Sequence, residues 1–146
     1  MGRVSEILAR KGCDVHSIQR DSPVYEALEQ MVRHNVGSLI VLEGETIAGI
    51  FTERDFLRRV ALEQLDPKRT TVREVMTERL VCLDPERTVQ ECMAIMTQER
   101  IRHLPVLDGR KLAGMVSIGD LVKHLSDERE VEVRYLTDYI TGKYPG

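Results

Sequence analysis

The segment Gly-Ile-Phe-Thr-Glu-Arg-Asp at residues 49–55 returns as Gly-Met-Val-Ser-Ile-Gly-Asp at residues 114–120. The same offset of 65 residues extends upstream without a gap, so that residues 36–55 align on residues 101–120. Seven of these twenty positions are identical, which indicates two copies of one supersecondary unit. We therefore expect two related units, each of which carries a Thr or Ser followed three residues later by an Asp.

The pattern of apolar residues predicts the order β-α-β-β-α in the first copy, behind a short opening helix at residues 4–9. An extended piece around Ile18 precedes a helix that begins at residues 22–23, where Ser is expected at the N-cap and Pro in the first turn. Two short apolar strands follow at residues 39–42 and 47–51, and Thr52 begins the next helix.

The second copy repeats this order after a polar linker that contains Pro67. Its opening helix is expected at residues 72–76 and its extended piece at residues 81–83. The capping-box pattern of Thr88 and Glu91 then predicts the start of a helix. Strands at residues 104–107 and 112–117 and a helix from Ser117 complete the unit.

The chain is therefore predicted to be an α/β protein of the α+β type with three segments. Residues 1–66 form the first motif and residues 67–126 the second, and we expect the two motifs to pack pseudo-symmetrically through their sheets. Residues 127–146 lie outside the repeat. Their apolar residues recur at spacings of three and four, which predicts a C-terminal amphipathic helix that contacts another copy of the chain or, alternatively, covers an exposed face of its own.

Composition argues against several classes of partner and location. With 21 basic and 24 acidic residues, the net charge of −3 does not favour nucleic acid or an acidic membrane surface. No apolar run approaches the length of a membrane helix, and the N-terminal residues lack a secretory core. Three cysteines without framework spacing suit a reducing compartment, so we expect a cytoplasmic protein without a membrane or nucleic-acid partner.

The repeated Thr/Ser-x-x-Asp pattern has two interpretations. A helix N-terminus offers free backbone N–H groups to a phosphate, and a carboxylate one turn later can accept two hydrogen bonds from a ribose diol. The same spacing is also a capping box that only begins a helix. Two copies, each behind a matching strand, favour the ligand-binding interpretation without removing the structural one.

This arrangement resembles the CBS domain, named after cystathionine β-synthase, over residues 3–126. The most specific stretches are residues 100–108 and 112–120, and residues 75–77 are also similar to the family. The resemblance implies that two motifs form one module, that modules pair into a homodimer, and that the module binds adenosine-containing ligands. The tail at residues 127–146 resembles one group of stand-alone CBS pairs, which favours AMP, ADP, ATP or NAD(H) over S-adenosylmethionine.

The resemblance also implies roles for particular residues. Asp55 and Asp120 would hold ribose hydroxyls, and Thr52 and Ser117 would contact ribose or phosphate. Arg54 and the Arg102–His103 pair would neutralise phosphate, although a histidine satisfied within its strand is an equal alternative for His103. Residues 101–105 and Met115 would surround the adenine. The complete predicted ligand set is Thr52, Arg54, Asp55, Ile101, Arg102, His103, Leu104, Pro105, Met115, Ser117 and Asp120.

The first copy departs from this pattern, because residues 37–40 read Gly-Ser-Leu-Ile where residues 102–105 read Arg-His-Leu-Pro. The predicted function is a regulatory module that binds an adenine nucleotide between the motifs and reports energy or redox state to an unidentified partner protein. The alternative is a structural or interaction module without nucleotide. We expect no enzymatic activity, no catalytic cofactor and no metal. The sequence lacks the G-x-G-x-x-G and G-x-x-x-x-G-K-[ST] signatures of enzymes that use dinucleotides or nucleoside triphosphates, and it lacks the H-E-x-x-H signature of metalloproteases.

Overall fold

An antiparallel strand pair closed by a tight turn forms the centre of each repeat in the computed structural model, which describes residues 2–128. The strands are β1 (Ser17–Gln19), β2 (Ser38–Glu43), β3 (Thr46–Thr52), β4 (His103–Asp108) and β5 (Lys111–Ser117). The helices are α1 (Val4–Lys11), α2 (Val24–His34), α3 (Glu53–Phe56), α4 (Val72–Val75), α5 (Val89–Glu99) and α6 (Ile118–Glu128), and a π-helical segment (Leu57–Ala61) follows α3. The predicted mixed α/β fold is confirmed.

The compact unit Val15–Leu80 contains a three-stranded sheet in the order β1-β2-β3. β1 pairs with β2 in parallel, and β2 pairs with β3 in antiparallel fashion around a turn in which Gly44 has a φ of 64°. Alternate residues of β2 and β3 face a core that α2 and α4 complete. This core contains Ile18, Val24, Ala27, Met31, Leu39, Val41, Phe51, Val60, Val72, Val75 and Met76.

The other compact unit joins the chain up to Asp14 with the chain from Val81 onward. β4 and β5 form its two-stranded sheet, and the predicted extended piece at residues 81–83 contributes a single parallel bridge from Leu83 to Val106. Pro85 follows closely, and since proline has no N–H it cannot extend the ladder. The core of this unit contains Val4, Ile7, Leu8, Leu83, Val89, Cys92, Met96, Leu104, Val106, Val116, Leu121 and Leu125.

The opening helix of each repeat packs in the compact unit that contains the sheet of the other repeat. α1 contributes Val4, Ile7 and Leu8 to the core around β4 and β5, whereas α4 contributes Val72 and Val75 to the core around β2 and β3. The motif boundaries 1–66 and 67–126 stay a prediction about the sequence repeat, because the compact units follow contacts and cross those boundaries.

Local signals explain most of the helix ends. Thr88 caps α5 as predicted, since its side chain accepts from the Glu91 N–H while Glu91 accepts from the Thr88 N–H at 3.0 Å. Asn35 ends α2 in the left-handed conformation. The helix α2 begins one residue later than expected, with Pro23 instead of Ser22 at the N-cap. The predicted tail helix falls almost entirely outside the described residues, apart from the end of α6.

Candidate functional site

The second Ser/Thr-x-x-Asp pattern lies where β5 ends and α6 begins. The Ser117 N–H donates to Asp120 Oδ2 at 2.8 Å, and the Asp120 N–H donates to Ser117 Oγ at 3.2 Å. This reciprocal pair is a capping box, so the structural interpretation of the pattern holds here. Both bonds leave Asp120 Oδ1 untouched, and no donor from residues 2–128 contacts that oxygen.

Lys11, the last residue of α1, completes the surroundings of Asp120. Its ammonium donates to Asp120 Oδ2 at 2.7 Å and to the Met115 carbonyl at 2.8 Å. The Lys11 side chain is 34% exposed and that of Asp120 is 22% exposed, so the ion pair lies partly within the protein surface. The site therefore contains a carboxylate that accepts from the Lys11 ammonium and from the Ser117 N–H, and a hydroxyl that accepts from the Asp120 N–H.

The strand register places four of the predicted ligand residues on one face of the β4–β5 hairpin. His103 is paired with Ser117, and Pro105 is paired with Met115. Leu104 lies between them in sequence and faces the opposite side, where it is fully buried in the hydrophobic core beside Val116. The structure thus brings His103, Pro105, Met115 and Ser117 together, and it assigns the Leu104 side chain to packing.

Ile101 and Arg102 connect the end of α5 to this hairpin. Ile101 packs, partly buried, against the core, and its N–H donates to the Met96 carbonyl at 3.0 Å. The Arg102 side chain is exposed, while its carbonyl accepts from the Ile118 N–H at 3.0 Å. That backbone bond holds Arg102 at the N-terminus of α6, so the predicted cation lies at the helix end where an anion is favoured.

The first Thr-x-x-Asp pattern is closed by its own hydrogen bonds. Asp55 Oδ2 accepts from the Thr52 N–H at 3.0 Å and from the Thr52 hydroxyl at 3.1 Å. The Thr77 hydroxyl donates to Asp55 Oδ1 at 2.9 Å. Asp55 is only 6% exposed, so both carboxylate oxygens are satisfied inside the protein. Arg54 lies beside them on the exposed side of α3.

Thr77 reaches Asp55 because the chain leaves α4 in an extended conformation. Ile50 and Thr77 exchange two backbone hydrogen bonds, of 3.0 Å and 2.9 Å, next to the end of β3. Gly49 permits this approach, since a Cβ there would lie 2.5 Å from the Thr77 carbonyl oxygen. The corresponding glycine of the second repeat, Gly114, instead makes room for Leu8 of α1.

Lys11 and Thr77 are the site residues that sequence analysis missed. For Lys11 a signal existed, because Arg10 and Lys11 precede Gly12 and basic residues before a glycine are typical of a helix C-terminus. That signal extends the predicted opening helix from residue 9 to residue 11. For Thr77 the sequence offers only its place in a family-like stretch, since the contact with Asp55 spans 22 residues.

Thiol and metal chemistry receive little support from the described residues. Burial raises the pKa of the Cys92 thiol to about 11 and shifts the pKa of Cys82 in the same direction, so both remain protonated at neutral pH. Within residues 2–128, no group of three or more His, Cys, Asp or Glu side chains is placed to hold a metal ion. No helix in that range has the length and apolarity needed to cross a bilayer.

Comparison with known proteins identifies the family to which this chain belongs. The family model for the CBS domain matches residues 4–62 and 72–127. A mitochondrial CBS domain-containing protein of Arabidopsis thaliana, CBSX3, is 39% identical over 97% of this chain and 73% of its own length. This chain belongs to the CBS-domain family, and it contains a pair of these domains.

Solved structures extend the comparison to the fold. A proposed signal-transduction protein with CBS domains from Burkholderia ambifaria superimposes with a TM-score of 0.85 at 43% identity, covering 88% of this chain and 97% of that one. A hexameric CBS-CP12 protein from bloom-forming cyanobacteria has a TM-score of 0.73 at 31% identity, covering 84% and 70% of the two chains. CBS-domain pairs of this kind are regulatory modules that generally bind adenosine-containing ligands, and oligomeric relatives exist.

Proposed function

We propose that the Ser117–Asp120 site binds the ribose of an adenine nucleotide, namely AMP, ADP, ATP or NAD(H). In this proposal the CBS pair reports energy or redox state to a partner protein. Asp120 Oδ1 carries the proposal, because it is an acceptor at the protein surface with no donor from the described residues. A ribose hydroxyl supplies the donor that this oxygen lacks.

Neighbouring residues support the remaining contacts of such a ligand. Met115, which is half-buried, offers apolar surface near Ser117 on the same face of the hairpin and suits an adenine ring, whereas its strand partner Pro105 is buried. His103 lies opposite Ser117, and Arg102 is held at the start of α6. Since phosphate is favoured near cations and helix N-termini, these residues suit the phosphate end of the ligand.

The first site favours a structural role instead. Asp55 uses both carboxylate oxygens internally, so a ribose would have to displace Thr52 or Thr77 from a buried group. Breaking these bonds costs free energy that the ligand must replace. We propose that nucleotide binds with one molecule per chain, at the second site, and that the Thr52–Asp55 site stabilises its unit.

The experiment that tests the proposal is titration of the purified protein with AMP, ATP and NADH by calorimetry, with native mass spectrometry for stoichiometry. Asp120→Asn retains the shape of the side chain and an acceptor for the cap while removing the charge. Asp127→Asn makes the same change seven residues later on the exposed side of α6, and it is the matched control.

We expect the Asp120→Asn variant to bind at least about tenfold more weakly, since hydrogen bonds to a charged acceptor contribute about 1.5–3 kcal/mol. The Asp127→Asn variant should bind as the unchanged protein does. Equal affinity of both variants would contradict the assignment of the site. Absence of binding at millimolar nucleotide would favour an interaction module, and the search for a function would turn to its protein partner.

Regulation requires a second state, because a ligand that binds two states equally shifts neither. We propose that this state differs in the contacts of a homodimer. Leu57 and Leu62 are 58% and 77% exposed, and the 3.1 Å bond from the Leu62 N–H to the Leu57 carbonyl stacks them along the π-helical turn. In this proposal the two leucines form part of the apolar contact between the subunits of the dimer.

The dimer is tested by measuring mass in solution with and without AMP. The double variant Leu57→Glu/Leu62→Glu should be monomeric, because two charges replace apolar surface, whereas Glu63→Gln at a neighbouring exposed position should retain the native mass. A double variant of unchanged mass would show that the interface lies elsewhere.

A cytoplasmic location is proposed from three free thiols, and fractionation of the source cells tests it.

A further inference from the structure

The end of α1 is anchored to α6 by two ion pairs. Lys11 contacts Asp120 at 2.7 Å, and Arg10 contacts Asp127, two helical turns further along α6. The two pairs differ in their surroundings. Arg10 and Asp127 are 54% and 43% exposed, whereas Lys11 and Asp120 are 34% and 22% exposed and Lys11 is also bonded to the Met115 carbonyl.

The group that bonds to the carboxylate differs between the two repeats. In the first repeat, Asp55 is met by the neutral hydroxyl of Thr77, which carries no charge toward a ligand. In the second, the corresponding carboxylate is met by an ammonium on a flexible four-carbon stem. A lysine can exchange one anionic partner for another without a backbone movement.

We infer that Lys11 selects for ligands that carry a phosphate, and that it does so by leaving Asp120 when such a ligand binds. This inference rests on the proposed function of the Ser117–Asp120 site. Lys11 donates to the same carboxylate that the proposed ribose binds, so its ammonium lies next to the position of the ligand. The phosphate then replaces Asp120 as the partner of the ammonium, so a phosphorylated ligand compensates the broken ion pair.

A nucleoside offers no such compensation. One hydroxyl of the adenosine ribose can bind Oδ1, but the second must share Oδ2 with Lys11, which either remains and competes or leaves without an anionic partner. In both cases the free energy of adenosine binding becomes less favourable, because a partly desolvated charge loses or must share its counter-charge. Lys11 therefore increases the preference for AMP over adenosine by strengthening AMP binding and weakening adenosine binding.

The test compares the affinities of AMP and adenosine in three variants. Lys11→Met removes the charge and retains most of the apolar stem, Lys11→Arg retains the charge, and Arg10→Met makes the same charge change one residue away. In Lys11→Met we expect the preference for AMP over adenosine to fall by about tenfold, which corresponds to one charge-assisted hydrogen bond. Lys11→Arg should retain most of the preference, and Arg10→Met should retain all of it.

Two further readouts separate charge selection from a structural role of Lys11. AMP binding by Lys11→Met should depend less on salt concentration than binding by the unchanged protein, because one ionic contact is missing. Adenosine binding by the same variant should be equal or tighter, which a variant with a damaged site would not show.

The outcomes distinguish the two proposals. If the unchanged protein binds AMP and Lys11→Met has the same preference for AMP over adenosine, the inference about Lys11 is wrong while the site stands. A parallel loss of preference in Arg10→Met would also overturn it, since the effect would then belong to the net charge of α1. If the unchanged protein binds neither ligand, the proposed function fails, and this inference fails with it.

Discussion

The Thr52–Asp55 and Ser117–Asp120 patterns have the same spacing and begin helices in the same way, yet their carboxylates have different availability. Asp55 is 6% exposed and accepts hydrogen bonds on both oxygens, whereas Asp120 accepts all its described bonds on Oδ2. The difference arises where each opening helix ends. The chain turns extended after α4 and brings Thr77 to Asp55, while α1 continues to Lys11 and brings a cation to Asp120. The sequence repeat therefore determines the position of each carboxylate, and the neighbouring residues determine whether its oxygens are available to a ligand.

The largest contrast concerns the contribution of the two carboxylates to stability. We expect Asp55→Ala to lower the free energy of unfolding by about 3 kcal/mol, because it leaves the donors of Thr52 and Thr77 without a partner in a buried site. Asp120→Ala should cost about 1 kcal/mol, as is typical for loss of a cap with access to water. Urea unfolding measures both values. Equal losses would show that the two sites are equivalent in spite of their burial.

The two glycines beside the sites provide a second contrast. A Cβ at Gly49 meets the backbone oxygen of Thr77 at 2.5 Å, whereas a Cβ at Gly114 meets the Leu8 side chain at 2.7 Å. Backbone yields less readily than the end of a side chain, so Gly49→Ala should cost about 2 kcal/mol and Gly114→Ala about 1 kcal/mol.

A double variant checks the cause of the glycine effect. Shortening Leu8 to Val in the Gly114→Ala background should recover part of the stability that the alanine removes, measured as a coupling free energy from urea unfolding. Shortening Met76, whose Sδ lies 3.1 Å from the Cβ position at Gly49, should recover less, because the closest contact there is with the backbone of Thr77. Simple additivity of the Leu8 and Gly114 changes would argue against direct contact as the cause.

Thr77 and Lys11, the groups that bond to the two carboxylates, should differ less in their contributions to the free energy of unfolding than the carboxylates themselves. Thr77→Val keeps the shape of the side chain but leaves Asp55 Oδ1 without its donor, which should lower the free energy of unfolding by about 1 kcal/mol. Lys11→Met removes a partly exposed ion pair, for which about 0.5 kcal/mol is expected. A larger loss from Lys11→Met than from Thr77→Val, in the same urea series, would reverse the comparison.

The smallest expected effect concerns Glu91, a capping carboxylate of α5 that is exposed to solvent, unlike the buried Asp55. The hydrogen bond from the Thr88 N–H, followed by the bonds from Arg87 and the Thr88 hydroxyl, holds the pKa of Glu91 below its ordinary value. A lowered folded-state pKa means that the contribution is present above the ordinary pKa and is lost as pH falls through the lowered one. Glu91→Gln should therefore flatten the acid side of the stability–pH curve slightly, and Glu63→Gln, outside any cap, serves as its control.

Sequence patterns predicted the parts of the fold that depend on neighbouring residues. The turns at Gly44 and Gly109, the cap at Thr88 and the strand pairs follow from local spacing, and all are confirmed. Periodicity of two in a strand also separates the side chain of Leu104 from those of its neighbours, so the burial of this side chain follows from the sequence, while the role of residue 104 beside an adenine stays a prediction. The assignment came from a family stretch taken as a whole.

Contacts over long separations lay beyond the sequence. Lys11 meets Asp120 across 109 residues, and no local pattern reports which surface the end of a helix will reach. His124 of α6 is similar, since it is only 5% exposed and Gly2, which is distant in sequence, lies directly beside it. Only a residue without a side chain fits there, because a Cβ at Gly2 would lie 2.0 Å from His124 Nε2.

The crossed placement of the opening helices has a consequence for synthesis of the chain. α1 leaves the ribosome well before its packing partners in β5 and α6, since Lys11 and Asp120 are separated by 109 residues. Residues 15–80 can complete their own core meanwhile, since all of its members lie within that stretch. The nascent protein thus carries α1 unpaired until β5 and α6 have been translated, and the Lys11–Asp120 site is assembled only then.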